Sequence, residues 1–335
     1  MRVLVVKTSS MGDVIHTLPA IEDAKKAIPG IQFDWVIEEG FKEIPAWHDS
    51  VNEVIPIAVR RWRKSLLKGF FSGEIASFFR NLRAKHYDLI IDAQGLVKSA
   101  IPAKLAKGPV VGLDQQSARE RLSARFYDRT FSVDKSMHAI ERVRRLFAFS
   151  LDYEYPETPP SVQLNLNLGH AAKKGVLFLH GTTWPSKHWP DDSWLELGRA
   201  LKQKGEDIYL PWSTDTEKAR AEWLSENLAV PLMPRLTLTE LAGLMLNVKA
   251  VVGVDTGLTH LAALLDVSSI GIYGSTDVGL TGAVGIGHKN LNSNFECAPC
   301  LKRNCNLLDS KTTSPPCYEV ISPDAVLKGI GMANG

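Results

Sequence analysis

Three short polar turns, each following an apolar run, carry the residue types that could bind an anion or move a proton. The first is Thr8-Ser9-Ser10-Met11-Gly12-Asp13, which offers hydroxyls, a glycine and a carboxylate. Asp13 is either a first-turn acid favoured by a helix dipole or a general base, a role that requires it to be held against the hydroxyl it deprotonates. The second, Gly181-Thr182-Thr183-Trp184-Pro185-Ser186-Lys187, brings two threonine hydroxyls, a glycine that lets backbone approach a ligand, and one lysine. That set suits a pyrophosphate, although it is no Walker A loop; an ordinary βα loop with an exposed lysine is the alternative. The third is Asp255-Thr256-Gly257, set between AVVGV and LTHLAALL. A helix starting near Thr256 would aim free N–H groups out of the carboxyl edge of a sheet, where α/β proteins bind anions. The plainer role for Asp255 or Thr256 is a cap. Glu217 stands near another helix start, placed either to accept hydrogen bonds from ribose hydroxyls or simply to favour the first turn.

Such turns need strands to bring them together. Buried strands are expected over residues 2–7, 32–36, 54–57 and 87–92 in the first half, and over 175–180, 207–212, 231–233, 248–254 and 269–273 in the second. Helical spacing of Val14, Ile15, Leu18 and Ile21, and of Leu258, Leu261, Ala262 and Leu265, supplies helices after the first and third turns. The alternation is that of an α/β protein with parallel sheets, and 335 residues suit two such domains better than one. The stretch YEYPETPPS begins a linker that runs to about Lys173. No G-x-G-x-x-G follows the first strand, so the dinucleotide fingerprint of a dehydrogenase is missing from its place.

The net charge of +2 argues against a general nucleic-acid binder, and no helix-turn-helix, finger or RNP signature is present. Basic residues cluster locally instead. Arg60, Arg61, Arg63, Lys64 and Lys68 alternate with Trp62, Leu66, Leu67, Phe70 and Phe71, with no acid between Glu53 and Glu74. That composition rests on an anionic membrane surface or grips a phosphorylated ligand. Arg119, Arg121 and Arg125 form a second group, and His138, Arg142, Arg144 and Arg145 a third. The N-terminal apolar run is too short for a signal-peptide core, and no run reaches a membrane span, so a cytoplasmic protein is expected. Cys297, Cys300, Cys305 and Cys317 run C-x2-C-x4-C-x11-C, which in a reducing compartment suggests structural zinc more than disulfides. The spacing is irregular for zinc knuckles, the question stays open on the sequence, and four thiolates would leave no catalytic position.

Taken in order, KTSSMGDVIHTLPA, FDWVIEEGF, IPAWH, RRWRK, IDAQGLVKSA, TTWPSKHWP and VDTGLTHL resemble the lipopolysaccharide heptosyltransferases of glycosyltransferase family 9, and among them the heptosyltransferase I group. The resemblance covers most of the chain. It implies a GT-B fold of two Rossmann-like domains facing a central cleft: an acceptor-binding domain over 1–160, a linker over 161–173, a donor-binding domain over 174–320, and a C-terminal helix and tail over 321–335. It also implies inverting transfer of L-glycero-D-manno-heptose from ADP-heptose (ADP-L-glycero-β-D-manno-heptose) to the inner Kdo of Kdo-lipid A. The enzyme would work without cofactor, metal or nucleic acid, peripherally on the anionic cytoplasmic face of the inner membrane. Laid on this chain, the family's roles make Asp13 the catalytic base and Lys187 the catalytic cation at the leaving phosphate. Thr182, Thr183, Lys187, Glu217, Asp255, Thr256, Gly257 and His260 hold the donor, and Ser10, Arg60, Arg61, Arg63, Lys64 and Arg119 face the acceptor. Heptosyltransferase II or another family 9 sugar transferase is the alternative. The chain departs from the pattern at Arg121, where proline is expected, and in its cysteine-rich tail.

Overall fold

Short runs of Val, Ile and Leu form the strands, and the central ones are buried throughout, as strands of a parallel sheet covered on both faces must be. The computed structural model describes residues 1–64, 72–166, 173–308 and 314–332. It divides into two units, Met1–Asn165 and Leu166–Gly335. Lys68 and its apolar neighbours from 66 to 71, and the side chain of Lys64, lie outside the described residues.

In the first unit β1 (Arg2–Val6), β2 (Gln32–Glu38), β3 (Val51–Ile57), β4 (Leu89–Asp92), β5 (Val110–Leu113) and β6 (Arg129–Phe131) form one sheet in the order β3-β2-β1-β4-β5-β6. Every neighbouring pair is parallel. This is the doubly wound Rossmann order, whose winding reverses between β1 and β4; ligands bind outside the strand carboxyl ends at such a point. Val6 pairs with Asp92 there, so the turn after β1 meets the turn after β4.

The second unit contains β7 (Val176–Leu179), β8 (Ile208–Tyr209), β9 (Ala250–Val254), β10 (Ser269–Tyr273) and β11 (His288–Asn292), in the order β11-β10-β9-β7-β8 and again all parallel. This is the other common doubly wound order, with its switch point between β7 and β9. Leu179 pairs with Gly253 at that point. Gly253 has to be glycine: a Cβ there would lie 2.2 Å from Oγ1 of Thr259, whose hydroxyl donates to the Val254 carbonyl at 2.7 Å. The core of this unit is closed by Trp189 and Trp194, packed edge to face at 5.0 Å between ring centroids.

The expected class, α/β with parallel sheets in Rossmann-like units, is the one observed, and four details differ. Residues 231–233, expected as a strand, are irregular, because Pro231 and Pro234 have no N–H to give a ladder. Strands β5, β6 and β11 were not expected; β6 and β11 are sheet edges whose Arg129-Thr130 and His288-Lys289-Asn290 lack an apolar pattern. The first helix is two, Met11–Ile15 and Leu18–Ala27, with Pro19 in the favoured first turn of the second. Arg144, grouped on sequence with a basic cluster, is an internal staple. It is 2% exposed, its Nε donates to Asp23 at 2.6 Å, and its guanidinium also donates to the carbonyls of Pro156 and Thr158. With Asn165 N donating to the Trp47 carbonyl at 2.7 Å, residues 153–165 are fastened to the first unit.

Candidate active site

At the switch point of the first unit, Asp13 is the third residue of the helix Met11–Ile15, and its carboxylate closes a capping box. Ser10 donates to Asp13 Oδ2 from its backbone N at 2.9 Å and from its hydroxyl at 2.7 Å. Two cations flank it, Lys7 Nζ at 3.9 Å from Oδ1 and Arg119 at 3.6 Å from Oδ2. Burial alone would raise the Asp13 carboxyl, but Lys7, Arg119 and the Ser10 bonds outweigh it and hold it well below the usual carboxylate range. Its side chain keeps 26% exposure, so it is ionised and reachable.

Lys7 was not singled out on sequence, where it reads as the polar end of a strand. Its side chain is buried and donates to the Ala93 carbonyl at 2.9 Å. Burial pulls the ammonium below the ordinary lysine value, against the opposing charge of Asp13. The turn after β4 is braced by Asp92, fully buried, which accepts from Gln94 N, Gly95 N, Ser99 Oγ and Tyr127 OH. Burial pushes the Asp92 carboxyl up. Gln94 Oε1 in turn accepts from both the N–H and the hydroxyl of Thr8, at 2.8 and 2.7 Å, joining the two turns. Gly95, at φ +68°, makes the reversal that a side chain would strain.

The arginines expected to face the acceptor differ among themselves. Arg61 is bonded on both sides, to Glu39 and to Glu74, which raises its affinity for its proton. Arg60 lies over the Phe41 ring at 5.1 Å. Lys98, donating to Ser9 Oγ at 3.2 Å, has its proton affinity lowered first by burial and then by the charges of Arg60, Arg63 and Arg119. Of these three, Arg119 also pairs with Asp13.

In the second unit, helix Gly257–Leu264 starts from Thr256 as expected, and the turn after β9 meets the turn after β7. Asp255 is 6% exposed; its Oδ2 takes Lys187 Nζ at 2.6 Å and the Thr276 hydroxyl at 2.5 Å, and its Oδ1 faces His260 Nε2 at 3.6 Å. Burial would raise this carboxyl, but the His260 hydrogen bond and the Lys187 charge hold it well below the ordinary range. Thr182 Oγ1 donates to the Asp255 carbonyl at 3.3 Å, and Thr183 is exposed beside it. Lys187 also lies over the Trp184 ring at 4.4 Å. Asp255 thus fixes one hydrogen of an ammonium that has three, leaving others for an anion.

Glu217 is the third residue of helix Asp215–Leu228 and caps it, Oε2 accepting from Ser213 N, Ser213 Oγ and Thr214 N. The same carboxylate lies against Gly181, where a Cβ would come 2.7 Å from Oε1. Thr214-x-x-Glu217 is a capping box that the sequence displayed. Arg220, one turn further on, was also missed: it donates to the carbonyls of His180 and Trp189 and meets His188 Nδ1 at 2.6 Å, holding both ends of the Lys187 loop. Ser186, buried, donates to the Lys302 carbonyl at 2.6 Å, so the cysteine-rich segment supports that loop through its backbone. The four cysteines are free thiols. Cys317 is buried and pushed up to about 12 by burial and by the neighbouring Cys297, Cys300 and Cys305. Among the described residues no group of three or more His, Cys, Asp or Glu is placed to hold a metal ion.

The chain thus carries two charged turns, each at the switch point of its own sheet. The family model described as glycosyltransferase family 9 (heptosyltransferase) matches residues 75–310. Lipopolysaccharide heptosyltransferase 1 of Pseudomonas aeruginosa is 49% identical over 342 residues, covering 97% of this chain and 96% of that protein. The protein of the same name from Escherichia coli K12 is 49% identical over 85% of this chain and 91% of its own length. The solved structure of E. coli heptosyltransferase WaaC with ADP superposes with a TM-score of 0.86 at 44% identity, covering 99% of both chains. E. coli heptosyltransferase II, at 19% identity and a TM-score of 0.76, shares the fold. The chain is a GT-B glycosyltransferase and belongs to family 9, the heptosyltransferases.

Proposed function

We propose that this chain transfers L-glycero-D-manno-heptose from ADP-heptose to the inner Kdo of Kdo-lipid A, with inversion. The observation that carries the reading is its 49% identity, over nearly the whole of both chains, to a lipopolysaccharide heptosyltransferase 1. The likeness to a heptosyltransferase solved with ADP-2-deoxy-2-fluoro heptose, at 43% identity and a TM-score of 0.84, supports the donor.

In this reading the second unit binds ADP-heptose and the first binds the acceptor. Asp13 takes the proton of the Kdo hydroxyl while its oxygen attacks the anomeric carbon of the heptose. The bond from that carbon to the β-phosphate oxygen breaks, and its electron pair leaves with ADP. A carboxylate held below its ordinary range is a weak base, so proton transfer comes late, as the anomeric centre becomes oxocarbenium-like and the attacking hydroxyl acidifies. Charge growing on the β-phosphate meets Lys187 and the N-terminus of helix Gly257–Leu264, groups already oriented before reaction. Asp255 would repel phosphate, so its place is on the Lys187 ammonium and the heptose hydroxyls, with the neighbouring N–H groups on the phosphate. Ser10, Arg60, Arg63 and Arg119 surround the acceptor's anionic groups, while Arg61 shapes that wall through Glu39 and Glu74. An acceptor anchored by lipid A lies in a bilayer, so the reading includes a peripheral position on its anionic cytoplasmic face. No described helix is long and apolar enough to cross a membrane.

The test is ADP release from ADP-heptose and deacylated Kdo-lipid A, with EDTA present, by wild type and Asp13→Ala. Acceptor-dependent release that survives EDTA and is lost in the variant is expected. No release by wild type with intact donor and acceptor would overturn the reading.

A further inference from the structure

Two adjacent elements of the first unit present apolar side chains that no described part of the chain covers. Helix Val97–Leu105 and the 3-10 turn Arg121–Phe126 pack on each other, and their inward residues Ala100, Ala103 and Ala124 join the core of the unit. On the outside Ile101 is 42% exposed, Leu105 42% and Leu122 56%. The helix carries Lys98, which reaches Ser9 Oγ, and Lys104, ion-paired to Asp128 at 2.7 Å; the turn carries the exposed Arg121 and Arg125, and neither element contains an acid. The nearby Glu120 is engaged at the start of the helix, its carboxylate accepting from Val97 N at 2.7 Å. Bulky apolar side chains clustered among cations match the boundary between headgroups and acyl chains of an anionic bilayer, the apolar groups entering it and the long basic chains reaching phosphates. The face also adjoins the active site. Glu120 N donates to the Gly95 carbonyl at 3.0 Å, and Arg119, next to it in sequence, reaches Asp13.

We propose that this face seats the first unit on an anionic bilayer, with Ile101, Leu105 and Leu122 entering the headgroup boundary and Arg121 and Arg125 on lipid phosphates. The proposal rests on the reading of a lipid-anchored acceptor, and it assigns the contact to a surface distinct from the basic stretch around Trp62.

The experiment is flotation of the purified full chain with phosphatidylcholine vesicles, with and without phosphatidylglycerol, for wild type, Ile101→Asp/Leu122→Asp and Arg125→Ala. ADP release is measured in parallel on a deacylated and on a vesicle-embedded acceptor. Wild type should float with anionic vesicles and not with phosphatidylcholine alone. The double variant should lose on the order of tenfold in partitioning, and Arg125→Ala about fivefold. Both should turn over the deacylated acceptor at the wild-type rate and lose rate on the embedded one. Variants that float like wild type overturn the docking face. So does a wild type that sediments as a dimer and becomes monomeric in the double variant, since a second copy would then cover the patch. If wild type floats as expected but turns over neither acceptor, the docking face stands and the transferase reading fails.

Discussion

Removing the charge of Lys7 while keeping a hydrogen-bond donor, as in Lys7→Gln, should move the pH at which the enzyme loses its proposed base, Asp13. Lys7 Nζ lies 3.9 Å from Asp13 Oδ1. At an effective dielectric of about 20 that pair is worth roughly 4 kcal/mol. Because the Asp13 side chain retains 26% exposure, solvent screening reduces the figure to about 2 kcal/mol, or roughly 1.5 pKa units. Arg119 remains at 3.6 Å but is 64% exposed and compensates little. In the proposed mechanism Asp13 works deprotonated, so activity is lost as pH falls through its pKa, and raising that pKa brings the loss to higher pH. In wild type the carboxyl sits below the usual range, so no limb from Asp13 should appear in kcat/KM above pH of about 4. In Lys7→Gln the acid limb should move up by about 1 to 2 units, and Lys7→Arg should restore it. The assay is initial-rate ADP release across pH with saturating donor. If Lys7→Gln loses rate equally at every pH and its acid limb stays where wild type has it, Lys7 only holds the Ala93 carbonyl and the electrostatic argument is wrong.

Asp255→Asn should release Lys187 and His260 from their shared partner and lower kcat/KM for the donor on the order of 100-fold, with the acceptor KM unchanged, as steady-state kinetics in both substrates would show. Gly253→Ala should destabilise the second unit by about 1 to 3 kcal/mol, read as a lower urea midpoint, because the new methyl meets the Thr259 hydroxyl. Acid should weaken the same unit. His180, His188 and His288 titrate at about 4 in the fold against 6.5 when free, so between those values the unfolded chain binds more protons. Their contribution is complete above pH 6.5 and is lost as pH falls towards 4, with His180, 1% exposed, supplying about 3 kcal/mol. His180→Leu should flatten the fall in Tm over that window, and an unchanged slope would refute the assignment.

The three turns were legible because a buried strand, a polar break and a helix are written locally: Val251 to Val254 in the strand, Asp255 and Thr256 in the break, and Leu258, Leu261 and Ala262 in the helix sit within a dozen positions. What joins the turns was not legible. Lys7 acquires its meaning only when β4 pairs beside β1 and brings Ala93 over it. Arg220 is an ordinary helical arginine until its helix lies against the Lys187 loop. Edge strands such as His288–Asn292 are fixed by the neighbour they pair with, since their own residues carry no alternation. Arg144 reads as surface charge because its partner Asp23 is 121 positions away.

The pairing of β1 with β4 has a consequence for how the enzyme comes into being. Thr8 and Gln94, bonded across the first switch point, are 86 positions apart, and Thr182 and the Asp255 carbonyl, across the second, are 73 apart. Contacts so distant in sequence must wait for long stretches of chain to be closed, which makes them late and slow to form. On a ribosome, no nascent chain shorter than the β4 turn can assemble the environment of Asp13. The first unit, complete at Asn165, has all its described site residues before Lys187 has been synthesised. The order of synthesis therefore builds the Asp13 side first, and each charged turn appears only once its own sheet has closed.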